Sequence, residues 1–123
     1  FVLWRAVLES IAYDYMEITD AYRNAGIEIN RITITEGGSR DNLWNQIKAD
    51  VMESEAITLE TLGGAVLTNC IIAAYATGAI EDLKHALISN LSIINTYSPN
   101  SNNSKIYKNQ YQLKKDVLKK LSN

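Results

Sequence analysis

One proline, one histidine and one cysteine in 123 residues exclude a good deal before any pattern is read. The lone thiol, Cys70, makes no internal disulfide and supplies no zinc cluster, which points to a reducing, cytoplasmic setting. The lone imidazole, His85, lies in a surface-type helical context, with no Cys or Ser at a spacing that would build a nucleophilic pair. No metal-ligand spacing occurs, and carboxylate pairs such as Glu53 and Glu55 lack a supporting signature, so no metal-binding residue is expected. The longest nearly apolar stretch, Leu62 to Ala76, falls short of the roughly 20 residues that span a bilayer. Neither a membrane helix nor a secretory signal is expected. The chain opens on Phe1 and runs straight into a helical pattern without a capping residue, which reads as a piece cut from something longer.

What is present is the balance of one globular domain with a real core: 46% hydrophobic residues against 21% charged. The net charge of -2 divides unevenly, about +5 from residue 105 onward and about -7 before it. Apolar residues interleave the basic tail at helical spacing, so it reads as a solvated helix face; no nucleic-acid partner is expected.

Trp4, Leu8, Ile11, Tyr15, Ile18 and Tyr22 recur at steps of four and three, predicting a helix over Leu3 to Tyr22 with that stripe buried and Gly26 as its stop. Ile27 to Thr35 has the period of a strand, Ile32 and Ile34 on one side and Arg31, Thr33 and Thr35 on the other. After Glu36-Gly37-Gly38-Ser39, a second helix should bury Leu43, Trp44, Ile47 and Val51, capped by Ser39 or Asp41. Glu55 to Thr58 suggests a short strand. Thr58 would cap a helix from Leu59 to about Thr77, apolar nearly all round and therefore buried, with Glu60 near its start, Cys70 inside and Gly78 as its stop. Glu81 to about Leu91 predicts another helix, and Tyr97 to Ser104 a turn-rich connector. A final helix should present Ile106, Gln110, Leu113, Val117 and Leu121 on one face. The order describes an α/β half-sheet covered by helices, with too few strands to pair both edges.

The segment with a site signature is the one from Ile34 to Trp44. Two consecutive glycines allow close backbone approach, and the following helix offers N–H groups and a positive dipole end. A nucleotide fits there, with Arg40 and Asn42 beside it and Trp44 either walling a base slot or filling the core. A mere tight turn reads equally well. No Gly-Lys-Ser or Gly-Lys-Thr follows, so this is not a P-loop.

With that loop placed, the sequence resembles the C-terminal part of the FGGY family of carbohydrate kinases, above all its xylulokinase-like members. Arg5-Ala6-Val7-Leu8-Glu9-Ser10-Ile11-Ala12-Tyr13 is similar to the family's "RAxxEGxA" helix. Gly37-Gly38-Ser39-Arg40 followed by Leu43-Trp44-Asn45-Gln46-Ile47-Lys48-Ala49-Asp50, and Glu60-Thr61-Leu62-Gly63-Gly64-Ala65, similar to "ExxALGAA", follow in family order. The resemblance covers about residues 3 to 80. It implies an α/β fold, a partial ribonuclease-H-like (actin-type ATPase) domain, helix-rich with a small sheet. Residues 1–123 would be the C-terminal part of the nucleotide-binding domain, with the N-terminal sugar-binding domain absent.

The implied cofactors are ATP and Mg2+. Gly37 and Gly38 match the adenosine loop, Asn42 aligns with a nucleotide-contacting position of the glycerol-kinase branch, and Ser39 and Arg40 are adjacent candidates. The family's catalytic aspartate lies in the sugar-side half, and no residue here matches it. A fragment without turnover is therefore expected, from a parent that phosphorylates a ketose, D-xylulose foremost, with the sugar bound through the missing domain. Glu36 where many members have glycine, Gly64 for alanine and Ser10 for glycine are departures, the first placing a carboxylate near a polyanion. Two alternatives stand beside this reading: a sibling kinase for glycerol, gluconate or another sugar, and a non-enzymatic helical module docking through Leu62 to Ala76. An open sheet edge would also favour a homo-oligomer.

Overall fold

Twenty-three residues without glycine or proline run as one helix, α1 (Val2–Asn24), and Gly26 with φ +81° turns the chain away from it. The computed structural model describes residues 1–61 and 64–121, leaving aside the side chains at 36, 60, 61 and 64. After α1 come β1 (Arg31–Ile34), a 3-10 turn (Glu36–Ser39), α2 (Asn42–Met52) and β2 (Glu55–Thr61). Then follow α3 (Gly64–Ala76), α4 (Leu83–Ser89), β3 (Leu91–Tyr97) and α5 (Ser101–Leu121). The strands form one sheet in the order β1-β2-β3. The fold is helix-rich with a small sheet, as expected.

The chain divides into two units, residues 1–57 with 96–123, and residues 58–95. In the first, Leu8, Ala12, Tyr13 and Met16 of α1 meet Ile47 and Val51 of α2 and Tyr107 and Tyr111 of α5. Burying Ile47 or Val51 stabilises the fold by roughly 1.5–3 kcal/mol each. A second cluster joins Ile34 of β1 to Ala49 and Ala56, with Ile32 and Tyr97 packed on it. The two-sided reading of β1 therefore holds, although the strand is shorter than Ile27 to Thr35.

Other expectations change. On α1 the buried line is Leu8, Ala12, Met16 and Thr19; of the expected stripe only Leu8 is inside, while Trp4 is 61% and Ile18 55% exposed. Ala12 is the reason: its small side chain, wholly buried, lets neighbouring elements approach where Ile11 or Tyr15 would hold them off. On α5, Ile106, Leu113, Val117 and Leu121 are exposed and Tyr107 and Tyr111 are buried. The two rings lock onto Tyr13, one edge-on at 6.3 Å and one stacked at 5.9 Å. Leu43 is also exposed.

Thr58 does not cap a helix; it lies within β2, as does Glu60, because Ile57, Thr58 and Thr61 favour extended backbone. Leu62 and Gly63 fall outside the described residues. In the second unit α3 packs with α4, Gly78 at φ +78° follows it, and Ile71 is buried while Cys70 is exposed rather than core. The apolar surround of α3 is thus mostly uncovered. β3 departs from the sequence expectation, which places a helix end at Leu91 and the start of a connector at Tyr97. Ile93, Ile94, Thr96 and Tyr97 are the β-favouring residues that signal it.

Candidate functional site

Gly37 and Gly38 lie in the 3-10 turn that joins β1 to α2. Neither glycine is required by backbone conformation, because neither adopts a positive φ. Nor does packing inside the chain require them: a Cβ on Gly37 would meet nothing within 4 Å, and one on Gly38 would make ordinary contacts at 3.7 and 3.8 Å. At Gly37 the missing side chain leaves bare main chain facing open space, while Gly38 faces Lys48 Nζ and Trp44 Nε1.

The opposite side of the turn is gripped by α2. Asn45, fully buried, donates from Nδ2 to the Ser39 carbonyl at 2.8 Å, and Lys48 donates from Nζ to the Gly38 carbonyl at 3.2 Å. Residues 45 and 48 stand three apart, hence on one helix face. The Tyr97 hydroxyl joins this network, donating to Asn42 Oδ1 at 2.7 Å and accepting from Asn45 Nδ2 at 3.3 Å. Asn42 therefore stands at the mouth of α2 with its amide oxygen already engaged. Asp41 caps α2 by accepting from the Trp44 N–H at 3.0 Å. A carboxylate thus sits on the positive end of the helix, which corrects the idea that this terminus is open to a phosphate.

Beside the turn is a cavity of about 470 Å³. Tyr15, Ile18 and Thr19 of α1 form one wall and residues 32–35 of and after β1 another; Gly38, Trp44, Lys48 and Met52 close it. Of the expected site residues only Gly38 lines this space; Gly37, Ser39, Arg40 and Asn42 do not. Lys48, 5% exposed, is the functional candidate that sequence reasoning missed. Its Nζ lies 4.5 Å from the centre of the Trp44 ring. Burial lowers its pKa to about 8, against a smaller upward pull from Asp41. Its sequence signal is a Trp four residues before a Lys, a spacing common on any amphipathic helix.

The Arg5 to Tyr13 helix motif has a structural explanation in its contacts. Arg5 pairs with Glu9 at 2.8 Å, and Arg5 donates to the Tyr107 hydroxyl, which donates in turn to Glu9. Asp50 is 2% exposed and accepts from Gln46, from the Asn100 N–H and from Asn103, mooring the start of α5. Among the described residues no three His, Cys, Asp or Glu gather to hold a metal ion, so no residue is assigned to Mg2+. No described helix is long and apolar enough to cross a membrane. His85 is exposed, its N–H bonded to the Asp82 carboxylate.

Residues 2–77 match the model of the C-terminal domain of the FGGY family of carbohydrate kinases. The chain belongs to this family. Among FGGY relatives, a xylulose kinase of Staphylococcus epidermidis is 28% identical over 115 residues, 94% of this chain and 23% of that protein. A glycerol kinase of Clostridium beijerinckii is 32% identical over 108 residues, 85% of this chain and 21% of that protein. The crystal structure of gluconate kinase from Lactobacillus acidophilus superposes with a TM-score of 0.79 at 20% identity, covering 95% of this chain and 24% of that one, which shows the same fold. The chain spans about a quarter of the length of these FGGY kinases, and their names differ in the sugar.

Proposed function

We propose that this FGGY chain is the nucleotide-binding end of an ATP-dependent carbohydrate kinase. The observation that carries the reading is the turn at Gly37 and Gly38, whose Gly38 and Ser39 carbonyls are held by α2 while Gly37 faces open space, and where neither conformation nor internal packing calls for glycine. Bare main chain of this kind admits a flat nucleoside at contact distance. Gly37 and Gly38 would lie against adenosine, with Ser39 and Arg40 adjacent. Asn42 would contribute its Nδ2 end, since Tyr97 holds the oxygen. The capping carboxylate of Asp41 argues for the nucleoside rather than the phosphates at this spot.

In the full-length protein the γ-phosphoryl of ATP passes in line to a sugar hydroxyl whose proton is taken by a carboxylate outside these residues. Mg2+, when present, neutralises charge on the phosphate oxygens. Residues 1–123 thus form the end of the nucleotide-binding domain, and the sugar is met through the rest of the protein. A ketose, D-xylulose foremost, is the proposed acceptor, because a xylulose kinase aligns over nearly the whole chain. The exposed face of α1 would serve contact with those other residues or, in the isolated chain, a second copy.

The test is titration of the 123-residue chain with MgATP, following the amide resonances of Gly37, Gly38 and Asn42. Shifts confined to that turn are expected; none at millimolar nucleotide would overturn the reading. Sugar-dependent ADP release by the full-length protein, with xylulose, gluconate and glycerol compared, assigns the acceptor. The same assay on the 123 residues alone should give no turnover.

A further inference from the structure

We propose that Lys48 is a positioning residue, holding the glycine turn in the shape that receives the nucleoside, with Asn45 as its companion on the same helix face. This rests on the reading of the turn as a nucleoside site. Lysine is seldom buried, since removing its ammonium from water is costly unless a partner answers it. Here the side chain is 5% exposed, and among the described residues no carboxylate lies within ion-pair distance. Its Nζ instead meets the Gly38 carbonyl at 3.2 Å, the Asn45 amide oxygen at 3.5 Å and the Trp44 ring at 4.5 Å.

Two consecutive carbonyls, those of Gly38 and Ser39, are thus drawn onto α2 by side chains one turn apart. Fixing both orients the peptide planes between residues 38 and 40, and leaves Gly37 outward, where a Cβ would touch nothing. The bond from Lys48 is charge-assisted, and so stronger, only while the amine is protonated. Among the described residues, the groups that titrate or carry charge around it are Asp41 at the head of α2 and, across the cavity, Tyr15 of α1; β1 presents Thr33 and Thr35. With an amine that titrates near pH 8, the hold on Gly38 should slacken over the mildly alkaline range.

The experiment compares MgADP binding by the full-length wild-type protein, Lys48→Met and Lys48→Arg at pH 7 and pH 9.5, with melting temperature and sugar KM recorded alongside. Lys48→Met is expected to weaken MgADP about tenfold at pH 7, the worth of one charge-assisted hydrogen bond, with sugar KM unchanged. Lys48→Arg should bind as wild type does at pH 7 and abolish the alkaline weakening that wild type shows. MgADP affinity equal in Lys48→Met and wild type at both pH values overturns the inference while leaving the nucleoside site standing. Wild type that binds MgADP without perturbing Gly37 and Gly38, or not at all, overturns both. Should Lys48→Met fail to fold, the pH comparison of wild type with Lys48→Arg decides: parallel profiles overturn the inference, and a flat Arg profile supports it.

Discussion

The twin glycines separate two demands that usually coincide. At Gly37 the backbone is already compatible with an L side chain and the space beyond it is open. Gly37→Ala should therefore leave the melting temperature unchanged or raise it, by about 0.5–1 kcal/mol of stability through the stiffer unfolded chain. The same substitution should weaken MgATP about tenfold by placing a methyl where the nucleoside would rest. Scanning calorimetry and nucleotide titration on one preparation check both. At Asp50 the demands are reversed. The carboxylate is buried and three donors converge on it, so Asp50→Ala should destabilise the fold by about 3 kcal/mol, read from urea unfolding. A cap at Ser39 or Asp41 was legible in the sequence, and the structure gives the role to Asp41, which accepts from the Trp44 N–H. The burial of Lys48, Asn45 and Asp50 was not, because it depends on what the turn, β3 and the residues after Tyr97 bring from far along the chain.

At the scale of elements, helix existence was more legible than helix orientation. The period of α1 and α5 was evident, but both are apolar or aromatic around more than one line, and packing chose the line bearing Ala12, Tyr107 and Tyr111. Between Thr58 and Thr61 a capping signal competed with β-branched backbone preference, and the strand prevailed. The tyrosine cluster joining α1 to α5 also predicts a pH response. Burial raises the Tyr13 phenol to about 12, and Tyr107 and Tyr111 are raised for the same chief reason. These phenols hold protons in the folded state that the unfolded chain releases near pH 10, so stability should fall as pH climbs from 10 to 12. Lys48 acts the other way: lowered to about 8, it releases its proton earlier folded than unfolded, so its contribution rises between pH 8 and 10.5. Thermal melts across pH 7 to 12 should show both limbs, and Lys48→Met should lose the rising one.

For the whole molecule, the family was legible because three short motifs lie in order, whereas the relatives that align with these residues are named for different sugars: xylulose, gluconate and glycerol. Trp4, Ile11, Ile18 and Tyr22 lie exposed along α1 in a chain that spans about a quarter of its relatives' length. Such a face is prone to association in water. Sedimentation velocity should find the 123-residue chain self-associating as concentration rises, and Ile18→Ser with Tyr22→Ser should return it to the monomer without lowering its melting temperature.

The helix α2 imposes one rotational phase on everything around the turn. Its 45 and 48 positions point to the carbonyls of Ser39 and Gly38, 46 and 50 to the start of α5, and 47 and 51 to the core. One residue inserted at its midpoint would swing the later half by about 100° and unseat all three sets together. The exposed bend at Gly78 and Ala79 carries no such registration. A fluorescent reporter or affinity handle spliced in there should leave the twin-glycine turn as it is.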